Sequence, residues 1–259
     1  MRVALGVEYD GTRFYGWQLQ PGTRTVQESI EQALSRVADH PVRVITAGRT
    51  DTGVHALGQV IHFDTASARS DRSWVYGANS YLPDDCGVVW AQTVSDEFHA
   101  RFSATARYYR YVIFNRAVRP GAFGSRVSWC YRPLNVETMQ EAARHLIGAH
   151  DFSSYRALAC QAKNPVRTVH RLDVARYGEL VVLDIVANAF LHHMVRNIAG
   201  VLMTIGAGER PPAWALEVLE ARDRTLGGVT ATPHGLTLMR VEYPESFGLP
   251  RLPLPPVLC

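Results

Sequence analysis

The chain has 259 residues, 47% of them hydrophobic and 20% charged, which is enough for two packed subdomains and ordinary for a globular protein. It contains no run of eighteen apolar residues, so no membrane span is expected. Its first apolar stretch is too short for a secretion signal, which makes the cytoplasm the expected compartment. The net charge of +3 is unevenly placed. Arg101 to Arg176 holds 13 Arg or Lys against 4 Asp or Glu, a net of +9, and the rest of the chain is net −6. A concentrated basic region suits a polyanionic partner, although a solvated surface reads the same way.

Predicted elements follow in chain order. Val3, Leu5, Val7 and Tyr9 share one face of a strand over 2–9, and Asp10-Gly11 turns the chain. Thr25 and Glu28 form a capping box for a helix whose Val26, Ile30, Ala33, Leu34 and Val37 recur at helical spacing. His40-Pro41 stops it. Strands are expected over 43–47 and 59–63, a helix over 72–81 ended by Pro83, and a strand over 87–94. The second half opens with a strand over 108–114 and a Gly-, Pro- and Arg-rich loop from 115 to 126. Asn135 caps a helix expected to run through Gly148, with Met139, Ala142, Ala143, Leu146 and Ile147 on its apolar face. Strands over 167–176 and 180–187, joined at Tyr177-Gly178, make a hairpin. Helices follow over 191–205 and from Pro211-Pro212, then a strand over 236–242. The tail from Pro244 holds five prolines and is expected to be extended or loosely attached. The fold class expected is α+β, with two similar mixed subdomains over 1–104 and 105–259 and largely antiparallel sheets.

Cysteine and lysine usage narrows the chemistry. Cys86, Cys130, Cys160 and Cys259 lie at least 30 residues apart, which rules out a local CxxC or zinc knuckle. Of 27 basic residues only Lys163 is lysine, so Schiff-base chemistry would rest on it alone. No GxxxxGK[ST] loop is present, which argues against a P-loop nucleotidase.

The most unusual local sequence is Ala47-Gly48-Arg49-Thr50-Asp51-Thr52-Gly53-Val54-His55, between two apolar strands. Glycines at both ends permit a tight backbone, and Asp51 beside Arg49 is a candidate nucleophile or base. On spacing alone, a turn capped by Asp51 is the better explanation. Gly48 to His55 resembles the active-site motif of the tRNA pseudouridine synthase A family, with Thr52 where that family usually has alanine. Further blocks resemble the family in order over nearly the whole chain. They are Glu8-Tyr9-Asp10-Gly11, Tyr15-Gly16-Trp17-Gln18, Phe98 to Ala104, Tyr109-Arg110-Tyr111, Asp151 to Arg156 and Ala189 to Asn197.

The resemblance implies the pseudouridine synthase fold, with the active cleft between the subdomains. It implies Asp51 as the nucleophile, Tyr109 as the tyrosine that stacks on the base and Arg196 as the arginine paired to the aspartate. Arg49 matches the arginine implicated in opening the RNA around the target. Arg101, Arg110 and His193 are further expected to contact substrate. The family's substrates are uridines 38, 39 and 40 in the tRNA anticodon arm, and a homodimer without cofactor or catalytic metal is implied. His192-His193 raises the question of a metal, but neighbours on a helix point apart and no HExxH pattern accompanies them, so no metal is expected. Arg107, Arg116 and Arg119 are plain surface charges or RNA-facing ones. A catalytically silent RNA-binding module of similar fold stays open, though it has no need of a carboxylate at Asp51. So does a small-molecule enzyme using Asp51 as base, which leaves the basic middle segment unexplained.

Overall fold

A computed structural model describes residues 1–256. By its internal contacts the chain forms two units. The first is Met1–Ala106 with Thr237–Leu254, and the second is Arg107–Leu236 with Pro255 and Pro256 among the described residues. The sequence reading had placed 237–254 in the second half. Each unit is α+β with a mostly antiparallel sheet.

In the first unit the strands are β1 (Arg2–Tyr9), β2 (Ile45–Thr46), β3 (His55–Asp64), β4 (Cys86–Val94) and β10 (Leu236–Glu242), a label that counts the second unit's strands first. β1 lies between β4 and β3, antiparallel to both, and β10 runs parallel to β3 on its other side. Helices α1 (Val26–Ala38) and α2 (Asp71–Asn79) pack together and on the sheet. The Thr25 hydroxyl accepts from the Glu28 N–H as the capping box requires, and Val26, Ile30 and Leu34 are buried. Trp74 of α2 meets the Phe63 edge at 5.1 Å and is fully buried. Burial of each such side chain stabilises the unit by about 1.5–3 kcal/mol.

In the second unit β5 (Ala106–Asn115), β9 (Leu180–Ala187), β8 (Val166–Tyr177) and β7 (Gly148–Asp151) follow one another antiparallel, and β6 (Ser128–Cys130) runs parallel to β5. Helices α3 (Val136–Arg144), α4 (Met194–Gly206) and α5 (Trp214–Ala221) cover the sheet. Gln140 of α3 brackets β8 directly, donating to the Leu172 carbonyl at 3.3 Å and accepting from the Val174 N–H at 2.6 Å.

Several expectations were corrected. α3 ends at Arg144 rather than Gly148, because Gly148 turns at φ +110° into a strand that the sequence did not announce. α4 begins at Met194, three residues late, and α5 begins after the prolines rather than at them. The tail is attached: the Phe247 ring packs on Phe98 at 5.2 Å and its carbonyl accepts from Gln92. The expected tail beyond 256 lies outside the described residues.

Candidate active site

In the first unit the motif loop links β2 to β3 and is held by its backbone. The Thr50 carbonyl accepts from the Trp17 N–H at 3.0 Å, and the Gly48 carbonyl accepts from buried Gln59 at 2.7 Å. Thr50 is buried, and its hydroxyl shares a 2.8 Å hydrogen bond with the Tyr9 phenol. Burial raises the Tyr9 pKa well above the ordinary phenol value, with hydrogen bonds to Thr50 and Gln59 opposing, so this anchor stays neutral. The Asp51 carbonyl accepts from the Val54 N–H, closing a turn in which Gly53 takes φ +80°. His55 opens β3 and accepts from the Gly11 N–H at 3.1 Å.

Two glycines let the N-terminal segment reach this loop. A Cβ on Gly16, which sits at φ +79°, would lie 2.8 Å from the Thr50 carbonyl oxygen and 3.1 Å from the Asp51 carbonyl carbon. A Cβ on Gly11 would lie 2.0 Å from the Val54 carbonyl oxygen. The two N-terminal blocks are thus the bed on which the motif rests. With the backbone fixed, the Asp51 side chain is half-buried and Arg49 is exposed. A carboxylate on an anchored loop is the arrangement a nucleophile needs, since its approach is set before substrate arrives.

Arg101 is in the same unit but elsewhere. It is exposed in the turn from His99 to Ser103, with its guanidinium 5.5 Å over the Phe102 ring. That turn is tied to His62, whose Nδ1 accepts from the Ala100 N–H. His62 is seven strand residues along β3 from His55, about 23 Å.

In the second unit Tyr109 lies on β5, buried, with the Phe190 edge against its ring at 5.0 Å. Arg196 is in the first turn of α4. Its Nε donates to the Ala231 carbonyl at 2.8 Å, and its own carbonyl accepts from the Ala231 N–H. The segment carrying Ala231 is pressed onto α4 at Gly200, where a Cβ would lie 1.8 Å from the Val229 carbonyl oxygen. Buried Asn197 secures the same turn, donating to the Tyr155 carbonyl and accepting from Thr230 and Arg224. Tyr111, two residues from Tyr109 on the same face of β5, donates to the Thr232 carbonyl at 3.0 Å. Phe190 and Thr232 thereby tie the Tyr109 strand to the Arg196 turn.

His193 precedes α4 in the left-handed conformation, φ +62°, a strained state for a side chain with a Cβ. The two histidines are therefore not on a helix, and their rings face each other at 4.0 Å instead of pointing apart.

Arg110 departs furthest from expectation. It is buried on β5 opposite Asp184 of β9. All five of its N–H donors are taken within the unit: Nε and one Nη2 bond by Asp184 at 2.8 and 3.0 Å, the other Nη2 bond by the Tyr108 oxygen, and Nη1 by the Pro255 and Pro256 carbonyls. Hydrogen bonding and charge from Asp184 raise its pKa further, and the arginine serves as a fixed internal cation. The sequence also gave no notice of the Tyr9–Thr50 bond or of the contact between Gly200 and Val229. The only signal was that Tyr9 and Gly16 lie in blocks shared with the family.

Comparisons with known proteins show the family. The family model described as tRNA pseudouridine synthase matches residues 6–103 and 142–244. The chain is similar to tRNA pseudouridine synthase A of Nitrosococcus oceani, 62% identical over 255 residues that cover 98% of each chain. It is also similar to the protein of that name from Alcanivorax borkumensis, 58% identical over 99% of this chain and 96% of the other. The protein of that name from Pseudomonas aeruginosa is 60% identical over 98% of this chain and 90% of its own. The chain belongs to the tRNA pseudouridine synthase family.

Proposed function

We propose that the protein isomerises uridine to pseudouridine at positions 38, 39 and 40 of the tRNA anticodon stem-loop, with Asp51 as the nucleophile. The observation that carries this reading is the motif loop itself, whose backbone is pinned by Trp17 and Gln59 and whose Thr50 hydroxyl is held by Tyr9, while the Asp51 side chain stays half-exposed.

The reaction breaks the bond from ribose C1′ to uracil N1, rotates the base and joins C5 to C1′, releasing the C5 proton. Asp51 attacks as the carboxylate, and the cationic Arg196 favours that ionised form. Tyr109 stacks on the uracil and handles the proton at C5. The target must leave the helical stack at a cost of about a few kcal/mol, and Arg49 offsets part of it by filling the vacated space. His193 and Arg101 contact the RNA. Arg110 is left out of the substrate set because its donors are committed inside the fold. A cytoplasmic homodimer working without cofactor or metal completes the reading.

The test uses tRNA transcripts whose uridines carry tritium at C5. Wild type releases tritium, and Asp51→Ala binds the same tRNA but releases none. No release by wild type from any tRNA with uridine at 38–40 refutes the enzymatic assignment and leaves a silent RNA-binding module.

A further inference from the structure

The motif loop rests on the segment from Asp10 to Arg24, and one carboxylate outside that segment fastens it. Asp85 lies just before β4, with its side chain only 8% exposed. Its carboxylate accepts two hydrogen bonds from Arg24, at 2.9 and 2.6 Å, and one from the Arg13 Nε at 3.0 Å. Its backbone carbonyl accepts from the Asp10 N–H at 2.9 Å. Asp85 therefore holds both ends of the segment. Burial by itself would raise the Asp85 pKa. Hydrogen bonding and charge from Arg24, then the charge of Arg13, outweigh burial and hold the group below the ordinary carboxylate value. The neighbouring Asp84 is exposed.

Two paths lead from Arg24 to the motif. The first runs through the main chain. The Arg24 carbonyl accepts from the Tyr15 N–H at 2.9 Å, and the next two residues, Gly16 and Trp17, meet Thr50 directly. The second runs through side chains. The Arg24 guanidinium lies 4.2 Å over the Phe14 ring, Phe14 packs edge-on against Tyr9 at 6.5 Å, and the Tyr9 phenol bonds Thr50. Both paths end at the residue before Asp51. Phe14 and Tyr9 are buried, and a close-packed interior passes a shift on to the next side chain.

We infer that Asp85 is a positioning residue for the reaction: through Arg24 it fixes the segment 10–24, and through that segment the approach of Asp51. Its effect falls on the chemical step and not on tRNA binding, because a carboxylate committed to two arginines offers nothing to a polyanion. This inference rests on the proposed function for the reaction whose rate is set, while the brace itself is read without turnover.

The test compares wild type with D85N, R24Q, the double variant D85N/R24Q and, as control, D84N. Single-turnover tritium release from C5-labelled tRNA gives the rate, and titration with the same tRNA gives Kd. Hydrogen exchange at the Trp17 and Val54 amides, which donate to the Thr50 and Asp51 carbonyls, reports how firmly the loop is held. D85N keeps the shape of the side chain and removes the charge that Arg24 faces. Its rate is expected to fall on the order of tenfold, with Kd unchanged and exchange at both amides faster. R24Q behaves alike, and the double variant loses no more than either single one, since the two residues act as one link. D84N matches wild type. Unchanged Kd shows that the variants fold; if D85N does not, R24Q decides, because Asp85 keeps Arg13 there. Wild-type rate and wild-type exchange in the variants overturn the inference. So do additive losses in the double variant, or a Kd that weakens as much as the rate falls. Failure of wild type to release tritium, with exchange still faster in D85N, removes the proposed reaction and keeps the brace.

Discussion

Gly16→Ala tests whether the N-terminal segment sets the position of Asp51. Gly16 has φ +79° and its Cβ would stand 2.8 Å from the Thr50 carbonyl oxygen, where ordinary contact begins near 3.4 Å. Gly22 is the matched control, with φ +73° and nothing within 4 Å of the added carbon. Both substitutions carry the left-handed backbone cost of about 1–2 kcal/mol. Only Gly16→Ala adds overpacking, a further cost of about 1–3 kcal/mol. The loop can relieve the overlap by shifting roughly 0.5 Å. Misplacement of a reacting group by 1 Å costs up to about 100-fold in rate, so kcat should fall about tenfold. Denaturant midpoints at constant m-value and single-turnover tritium release measure the two effects. If Gly16→Ala loses no more stability and no more rate than Gly22→Ala, the loop is not braced by this contact and the positioning argument fails.

Two further predictions concern groups away from the motif. Arg110→Met leaves Asp184 facing an apolar partner and should destabilise the protein by about 3 kcal/mol, with much of the loss recovered in Arg110→Met/Asp184→Leu and tRNA affinity unchanged. A variant that folds normally but loses tRNA binding would return Arg110 to the substrate set. His62 is 1% exposed, and desolvation first, then the positive charge of Arg2 and neighbouring His99, push its pKa down to about 4. Between pH 6.5 and 4 the unfolded chain therefore binds the proton that the folded one refuses. This contribution to stability is complete above pH 6.5 and falls by a few kcal/mol as the pH drops to 4, levelling below. Denaturant titrations across that range, compared with His62→Phe, should show the slope in wild type and its absence in the variant; parallel curves contradict the assignment.

Local signals marked most of the long elements because their causes are local. The Thr25 cap and the spacing of Val26, Ile30 and Leu34 define α1 without reference to the rest of the chain. The alternation in 2–9 marks β1, whose residues match the expected range. The short strands β6 and β7 escaped notice, since three or four residues carry too little alternation and exist only because β5 and β8 offer edges. The motif around Asp51 was legible as a set of residue types, and the family blocks singled out Asp51, Arg49 and Arg196 as the expected site residues.

What holds those residues in place was decided by contacts between distant segments. Tyr9 finds Thr50 across 41 positions, and Gly16 makes room for the same loop. The fate of Arg110 shows the difference most clearly. As sequence it is one arginine among many in a basic stretch. Only the β5–β9 register, which sets it opposite Asp184, takes it out of solvent and commits its donors. Composition and motif determined what chemistry the protein can perform, because charge and functional groups belong to the residues themselves. Tertiary structure decided which of those groups remain available, because hydrogen bonding and desolvation depend on which distant residue folds against each one.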